Sequence, residues 1–456
     1  MAIVFVSGAG PAGLFAAQRL ALAGHEVVIF NRDIKPGGLA EYGIYPLKDK
    51  MKTGLRKQFS KVLALPNVHY FGHVPVGANS PITIDALREL SPAAMVFAVG
   101  AQGAKHLGLP GEKSHGVYSA KDFVYHYNQL PPFATQDFSV GKHVAIVGMG
   151  NVMVDIARWL LCDDPQHRTE DVTVVARRGP FEAKFDEKEF AHIQMYLDRE
   201  AFKDELQRIK PLLAVVGQDV AKVSQEAFSC LTKYSEQPAD ARLRFRFLNS
   251  PFGVFSRQDE RAARLLLLEN LVSERNGSIV AEPTNTTAEL AVDTVIFAVG
   301  DMHDSSLGLP FGSNGYVTCP ETEYPAAKYQ VFDPKQGKIL EGMYVVGWAH
   351  KPSEGLVGIA RHDGESGANH LLEYLSRSEQ RRSLSVDDVT RFVRRQGIQF
   401  VSKEDLLWLG AAEEKEAGLR GAAFFKFDTD AAMLSAIEHE ESSSRSVESE
   451  ELMFTN

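Results

Sequence analysis

The run VFVSGAGPAG, Val4 to Gly13, constrains this chain more than any other stretch. It reads as a strand, a tight turn and a helix start. Gly8 permits the turn, Gly10 lets the backbone approach a pyrophosphate, and Gly13 lets the new helix pack closely on the strand it has just left. An anion at that helix N-terminus meets free N–H groups and the positive dipole end, worth about 0.3–1 kcal/mol at an exposed site. A lone G-x-G-x-x-G also fits other glycine-rich turns of α/β proteins, so its meaning depends on the rest of the chain.

A second strand-turn-helix begins at His143 with HVAIVGMGNVMVDIARWLL. It carries Gly148, Met149, Gly150 and Asn151 at the turn, with Met153 in place of the third glycine. Two nucleotide folds in one chain predict an α/β protein with two Rossmann-like domains. The strands AMVFAVGA (94–101) and DTVIFAVGD (293–301) end alike, as crossovers into and out of an inserted domain would. The expected layout is one dinucleotide-binding domain from residues 1–104 and 302–435 and a second, from 105–301, inserted into it. Residues 436–456, acidic and serine-rich, read as a disordered solvated tail. A length of 456 residues suits two domains.

A formal charge of −10 argues against nucleic acid or an acidic membrane as the main partner. The three cysteines, Cys162, Cys230 and Cys319, form no CxxC and no metal-ligand spacing. No run of about 18 apolar residues and no leader is present, so a soluble cytoplasmic protein without stable membrane insertion is expected.

The residues after each second strand separate the two sites. After HEVVIF (25–30), where an acid normally holds the adenosine ribose, stands Asn31, an amide without charge assistance. The loop PGGLAEYGIYP (36–46) exposes backbone at Gly37 and Gly38 beside Leu39 and Tyr42, suited to the edge of a flat ring and equally to an ordinary Gly/Pro connection. After DVTVV (171–175) stand Arg177 and Arg178, suited to a 2′-phosphate, so NADPH is preferred over NADH. In GMYVVGWAHKPSEGLVG, Trp348 stands beside a possible ring pocket. Gly355, Leu356 and Val357 open a helix whose N–H groups can face a reduced flavin. One dinucleotide would then be a permanent flavin and the other a diffusing nicotinamide.

Other segments carry weaker signals. FDEKEFAHIQMYLDR (185–199) reads as a charged amphipathic helix containing Glu189. Lys48, Lys50, Lys52, Arg56, Lys57 and Lys61 fall at roughly helical spacing, either a solvated face or a landing site for an acidic partner. LRFRFLNSPFGVF (243–255), with Arg242, Arg244 and Arg246 on one face, alternates as an exposed strand does. It is a second candidate docking patch.

These motifs together closely resemble the adrenodoxin reductase family of FAD-dependent ferredoxin:NADP reductases, over nearly the whole chain. GAGPAG, YGIYPLKDKMK, LGLPGE, GMGNVMVDIAR, VARRGP with FDEKEF, RFRFLNSP and GWAHKPSEGLVG carry the likeness. The resemblance implies FAD contacts at Ala12, Leu39, Val74, Trp348 and Gly355 to Val357. It implies NADP contacts at Lys105, Met149 to Val152, Arg177, Arg178, Glu189 and Gly355. Lys48 stands where many members carry an active-site His, Asn31 where they carry a ribose-binding Glu, and Glu354 adds a charge near the nicotinamide pocket. Glu189 and Lys48 would orient the nicotinamide amide and tune charge beside Trp348. The implied activity is hydride transfer from NADPH to FAD, then single electrons to a ferredoxin-type iron–sulfur protein. A flavin disulfide reductase would need a CxxC. A reductase subunit of a larger flavoprotein complex and an NADP-sensing protein without flavin turnover remain as alternatives.

Overall fold

The computed structural model describes residues 2–233, 241–256, 261–351, 357–377 and 384–454. The strands are β1 (Ile3–Ser7), β2 (Glu26–Phe30), β3 (Val68–Phe71), β4 (Ala94–Phe97), β5 (Gly103–Ala104), β6 (Val117–Ser119), β7 (His143–Val147), β8 (Asp171–Val175) and β9 (Arg242–Arg246). They continue as β10 (Asn249–Ser256), β11 (Ala262–Arg275), β12 (Ser278–Ala291), β13 (Thr294–Phe297), β14 (Asp301–Met302), β15 (Phe311–Gly312), β16 (Gly315–Tyr316), β17 (Gln330–Asp333) and β18 (Lys338–Val345). Helices α1 (Pro11–Leu22), α2 (Leu39–Tyr42), α3 (Asp49–Leu63), α4 (Ile84–Glu89), α5 (Ala120–Tyr127), α6 (Asn151–Arg158) and α7 (Glu187–Phe190) precede α8 (Arg199–Ala214) and α9 (Val223–Glu226). The last four are α10 (Val357–Arg377), α11 (Val386–Arg395), α12 (Asp405–Leu419) and α13 (Asp430–Phe454).

The chain divides into two units. Met1–Gly103, Tyr125–Thr135 and Asp301–Asn456 form unit 1; Ala104–Val124 and Gln136–Gly300 form unit 2. The expected insertion thus has a detour at 125–135. There Tyr125 and Leu130 are buried with Tyr42, which places the detour in unit 1.

Unit 1 is built on a six-stranded sheet ordered β17-β18-β4-β1-β2-β3, parallel except for β17. Because strand side chains alternate, Val4 and Val6 enter one core layer with Val27 and Ile29, while Phe5 enters the opposite layer with Val28 and Phe30. Both faces are covered, which is why these strands read as continuous apolar runs. Burying each such side chain contributes about 1.5–3 kcal/mol. On the first face α1 packs so tightly on α10 that a Cβ at Gly364 would lie 2.3 Å from the Ala12 carbonyl oxygen.

Unit 2 has a five-stranded parallel sheet, ordered β6-β13-β7-β8-β9. The antiparallel sheet β10-β11-β12 packs through Val254, Leu265 and Leu267 on Val147, Val175 and Val295. Phe185, Phe190, Phe202, Phe228 and Phe245 form an aromatic cluster with neighbouring rings 4.8–6.0 Å apart.

Four expectations require correction. The helix expected over 185–199 is broken into α7, a 3₁₀ turn and the start of α8. Asp186 and Asp198 cap the two helices, accepting from Lys188 N and Ala201 N at 2.8 and 3.1 Å. Between the caps the chain bends so that Phe190 can enter the aromatic cluster. The strand expected over 243–255 is two strands in different sheets, broken at Leu248, whose φ is 51°. Its arginines are not a free patch: Arg244 donates to Asp198 (3.0 Å) and Arg246 to Glu205 (3.4 Å). Finally, the solvated tail expected from 436 is helical, since α13 continues to Phe454. Ile437 is buried with Ile34, Val401, Leu409 and Met433, so 436 falls inside a packed element.

Candidate functional site

At the C-terminal ends of β1, β2 and β4 unit 1 opens a cleft, the place where a Rossmann-like fold takes a dinucleotide. Gly8, Gly10, Ala12, Gly38, Leu39, Val74, Trp348 and Val357 line it, and Gly13 stands one residue beyond the lining at the start of α1. The glycines of the turn do different work. Gly8 has φ +105°, and a Cβ there would sit 2.5 Å from the Ala98 carbonyl oxygen; one at Gly13 would sit 2.0 Å from the Gly8 oxygen. Both are therefore demanded by the fold. A Cβ at Gly10 would meet nothing within 4 Å. Gly10 precedes α1 with no side-chain cap, so the free N–H groups of the first turn face the cleft. Gly38, with φ +49°, precedes α2, and its Cβ would lie 3.3 Å from the Gly10 Cα. The two bare glycines face one another, a cradle that side chains would fill.

Trp348 sits in a 3₁₀ turn, Gly347–Ala349. Its carbonyl oxygen accepts from His303 Nε2 at 2.8 Å, whereas its indole Nε1, buried at the cleft, has no hydrogen-bond partner. A buried donor without a partner is costly unless a ligand takes it, and this one fits a polar edge of a bound cofactor. The turn is held from α10. Asp363 accepts from Gly347 N (2.6 Å) and Tyr329 Oη (3.2 Å) and pairs with His350 Nδ1 (3.3 Å). Burial opposes ionisation of Asp363, but His350 and these hydrogen bonds outweigh it and lower its pKa.

Beneath the cleft α2 is pinned by charge. Glu41 accepts from Arg56 Nε and Nη2 (2.7 and 2.6 Å) and from Lys426 Nζ (2.9 Å). Burial again opposes ionisation, yet the Arg56 hydrogen bond and the charges of Lys426, Lys35 and Arg56 lower the carboxyl's pKa. Lys52, 4 % exposed, donates to Asn128 Oδ1 at 2.8 Å. Burial, then the nearby charge of Lys426, lowers its ammonium to about 7. So the basic run on α3 is not one solvated face: Lys52 and Arg56 point inward, and Lys50, Lys57 and Lys61 remain exposed. Lys48 caps the start of α3 and is not in the cleft wall.

Asn31, expected to hold a ribose, lines the cleft but is 6 % exposed and engaged within the protein. Its Oδ1 accepts from Ala9 N (2.9 Å), and its Nδ2 faces Asp33 O (2.8 Å), Lys35 O (3.1 Å) and Tyr70 Oη (3.1 Å). It ties the glycine turn to the loop after β2. Sequence reasoning missed Arg32, Asp33 and Gln102, which also line the cleft. The signal for the first two was a pair of charged residues next to Asn31.

Unit 2 repeats the crevice. Gly148, at φ +127°, would place a Cβ 2.2 Å from the Ala298 carbonyl oxygen, and Gly150 would meet nothing within 4 Å. Gly150 again precedes a helix, α6, without a side-chain cap. Met149 O accepts from Lys184 N (3.0 Å), and Asn151 Oδ1 accepts from Asp186 N (2.7 Å), which brings α7 and half-buried Glu189 alongside α6. Val152 is 47 % exposed on the first turn. After β8, Arg177 is exposed with its carbonyl held by Asn270 Nδ2 at 2.8 Å, and no carboxylate among the described residues pairs with Arg177 or Arg178. Lys105 is exposed in the first segment of unit 2. Gly355 and Leu356, expected at the cofactor, lie outside the described residues, as does Glu354.

The three cysteines are free thiols, and among the described residues no helix is long and apolar enough to cross a membrane. Two Rossmann-like folds, each with an open second glycine at an uncapped helix start, define an oxidoreductase of the two-dinucleotide-domain class. Residues 2–201 match the family model described as pyridine nucleotide-disulphide oxidoreductase. The mouse mitochondrial NADPH:adrenodoxin oxidoreductase is 30 % identical, covering 82 % of this chain and 78 % of that one. The NADPH-ferredoxin reductase FprA of Mycobacterium tuberculosis is 29 % identical over 83 % of this chain and 85 % of that one. A solved structure of Mycobacterium tuberculosis FprA in complex with NADPH superimposes with a TM-score of 0.79 at 25 % identity, covering 96 % of this chain and 99 % of that one. The chain belongs to the family of NADPH-ferredoxin and NADPH:adrenodoxin reductases, whose cofactors are FAD and NADPH.

Proposed function

We propose that this chain is a ferredoxin–NADP reductase of the adrenodoxin reductase type, with FAD in the cleft of unit 1 and NADPH at the Gly148–Gly150 crevice of unit 2. The observation that carries this reading is the pair of crevices with opposite strand ends: Arg177 and Arg178 after β8, with no carboxylate partner among the described residues, and a cleft with an unpartnered indole donor in unit 1. The flavin, when bound, converts a two-electron hydride into single-electron transfers.

The chain's own residues supply binding and electrostatics. Gly8 and Gly10 with the N-terminus of α1 receive the pyrophosphate, and Gly38, Leu39, Val74 and Trp348 bound the ring. Val357 begins α10, whose first N–H groups favour negative charge on the side of the ring they face. Arg177 and Arg178 take the 2′-phosphate, with Lys105 and the Met149–Val152 turn on the rest of the nucleotide. Glu189 orients the nicotinamide amide. The acceptor is a ferredoxin-type iron–sulfur protein, in the cytoplasm, and the exposed Lys50, Lys57 and Lys61 on α3 suit its acidic surface.

An anaerobic titration with NADPH and, in parallel, NADH tests this by the visible flavin bands. Bleaching at low NADPH and only at high NADH is expected. A yellow protein bleached by neither would assign its reduction to another donor, and a colourless one would favour the NADP-sensing alternative.

A further inference from the structure

We propose that Asp33 and Arg32, rather than the side chain ending β2, grip the adenosine half of FAD in this chain. This rests on the reading that the cleft of unit 1 holds FAD. The side chain at the strand end is Asn31, tied to Ala9 N, Asp33 O, Lys35 O and Tyr70 Oη. Both donor hydrogens are taken, and its oxygen, with one of two lone pairs on Ala9 N, keeps a single neutral acceptor site for two ribose hydroxyls. A charged acceptor for the pair has to come from elsewhere.

Two carboxylates line the cleft, Asp33 and Asp304. Asp304 is committed to its own turn, accepting from Ser306 N (2.8 Å) and Ser306 Oγ (2.7 Å) through its two oxygens. Asp33 instead meets a single neighbouring side chain, Arg32, through Nε at 2.9 Å and Nη2 at 3.4 Å. Arg32 follows β2, and its Nη1 donates to Gln102 Oε1 at 3.1 Å; Gln102 follows β4 and is itself fixed by donating to Val99 O at 2.7 Å. In the sheet β1 lies between β4 and β2. The Arg32–Gln102 bond therefore reaches across the carboxyl end of β1, over the side on which Gly8 and Gly10 turn into α1. About half of the Arg32 side chain stays exposed to the cleft.

Such an arrangement suits adenosine. The carboxylate of Asp33 can accept from the vicinal ribose hydroxyls with charge assistance. The planar guanidinium of Arg32, held in orientation by Asp33 and Gln102, offers a face for stacking on the purine. The acid that the family pattern places at the strand end is thus replaced by one two residues later, and the strand-end position becomes scaffold.

Flavin-stripped protein titrated with FAD and with FMN, followed by flavin fluorescence, separates the possibilities, because FMN lacks the adenosine. Asp33→Ala and Arg32→Ala are expected to weaken FAD by about tenfold or more, one charge-assisted contact each, with FMN affinity unchanged. Asp33→Asn, nearly isosteric, is expected to fall between, which keeps the test open should the alanine variant fold poorly. Asn31→Ala is expected to weaken FAD and FMN together by loosening the glycine turn. Unchanged FAD affinity in the Asp33 and Arg32 variants, or equal losses for FAD and FMN, would overturn the assignment. A wild-type chain that takes up neither flavin would instead fail the underlying reading.

Discussion

The two crevices share a plan and differ at two positions, and the differences separate what the fold needs from what the ligand needs. In each, the first glycine is forced by backbone: a Cβ would lie 2.5 Å from Ala98 O at Gly8 and 2.2 Å from Ala298 O at Gly148. In each, the second glycine opens onto empty space. The third position diverges. A Cβ at Gly13 would lie 2.0 Å from the Gly8 oxygen, whereas its counterpart Met153 is fully buried in unit 2. The strand ends diverge as well, buried Asn31 against exposed Arg177. The first crevice is built into its unit, and in the second no carboxylate among the described residues pairs with Arg177 or Arg178.

The largest effect should come from exchanging the third position. Gly13→Ala sets a methyl against backbone that cannot yield, and a loss of about 3 kcal/mol or more is expected in denaturant unfolding. Met153→Ala removes a packed side chain from the other unit and should cost about 2–5 kcal/mol. If Gly13→Ala were tolerated, α1 would not be as tightly seated as the distances require.

The open glycines should behave in the opposite way. Gly10→Ala and Gly150→Ala are expected to leave unfolding midpoints nearly unchanged while weakening FAD and NADPH binding, respectively, by about tenfold or more where the backbone must approach a phosphate. Arg177→Ala with Arg178→Ala should raise the KM for NADPH by roughly 10–100-fold and leave that for NADH within about twofold. Equal losses with both nucleotides would remove the 2′-phosphate from this pair.

How far the sequence could be read follows from the range of the interactions. The left-handed turns at Gly8 and Gly148 and the approach of Gly13 to Gly8 are local, so the two folds and their order were legible from the motifs. Asn31 was not, because its partners come from Ala9, Tyr70 and the carbonyls of 33–35. Arg244 and Arg246 face Asp198 and Glu205, more than 40 residues away in sequence, so periodicity alone made them look like a docking face. The helix expected over 185–199 failed for the same reason: a buried Phe190 and two aspartate caps outweighed a charged amphipathic pattern.

The same contrast extends to where each unit keeps its positive charge. Among the described residues unit 2 leaves Arg177 and Arg178 without a carboxylate, while unit 1 pairs half-buried Arg56 and buried Lys426 with Glu41 and sets buried Lys52 against a neutral amide. Lys52 is the weak point of that cluster. Its ammonium is lowered to about 7 in the folded chain from 10.5, chiefly by burial. For a base with a depressed folded pKa, the unfolded chain binds the extra proton between these values, so stability rises with pH across that window and the gain is lost on returning toward 7. Below about pH 7 both states carry the proton and Lys52 contributes no further slope. Between pH 7 and 8, below the cysteine and tyrosine midpoints of about 8.5 and 10, the gain should reach about 1 kcal/mol, because folded Lys52 passes from about half to nearly no proton while the unfolded chain keeps one. Denaturant unfolding of wild type and Lys52→Met at the two pH values measures it. The methionine variant should lose most of the slope and gain stability at pH 7, since an uncompensated buried ammonium is replaced by an apolar chain of similar length. A slope that persisted in Lys52→Met would place the titrating group elsewhere, and the contrast between an inward, neutralised set of cations and an outward, available one would no longer rest on Lys52.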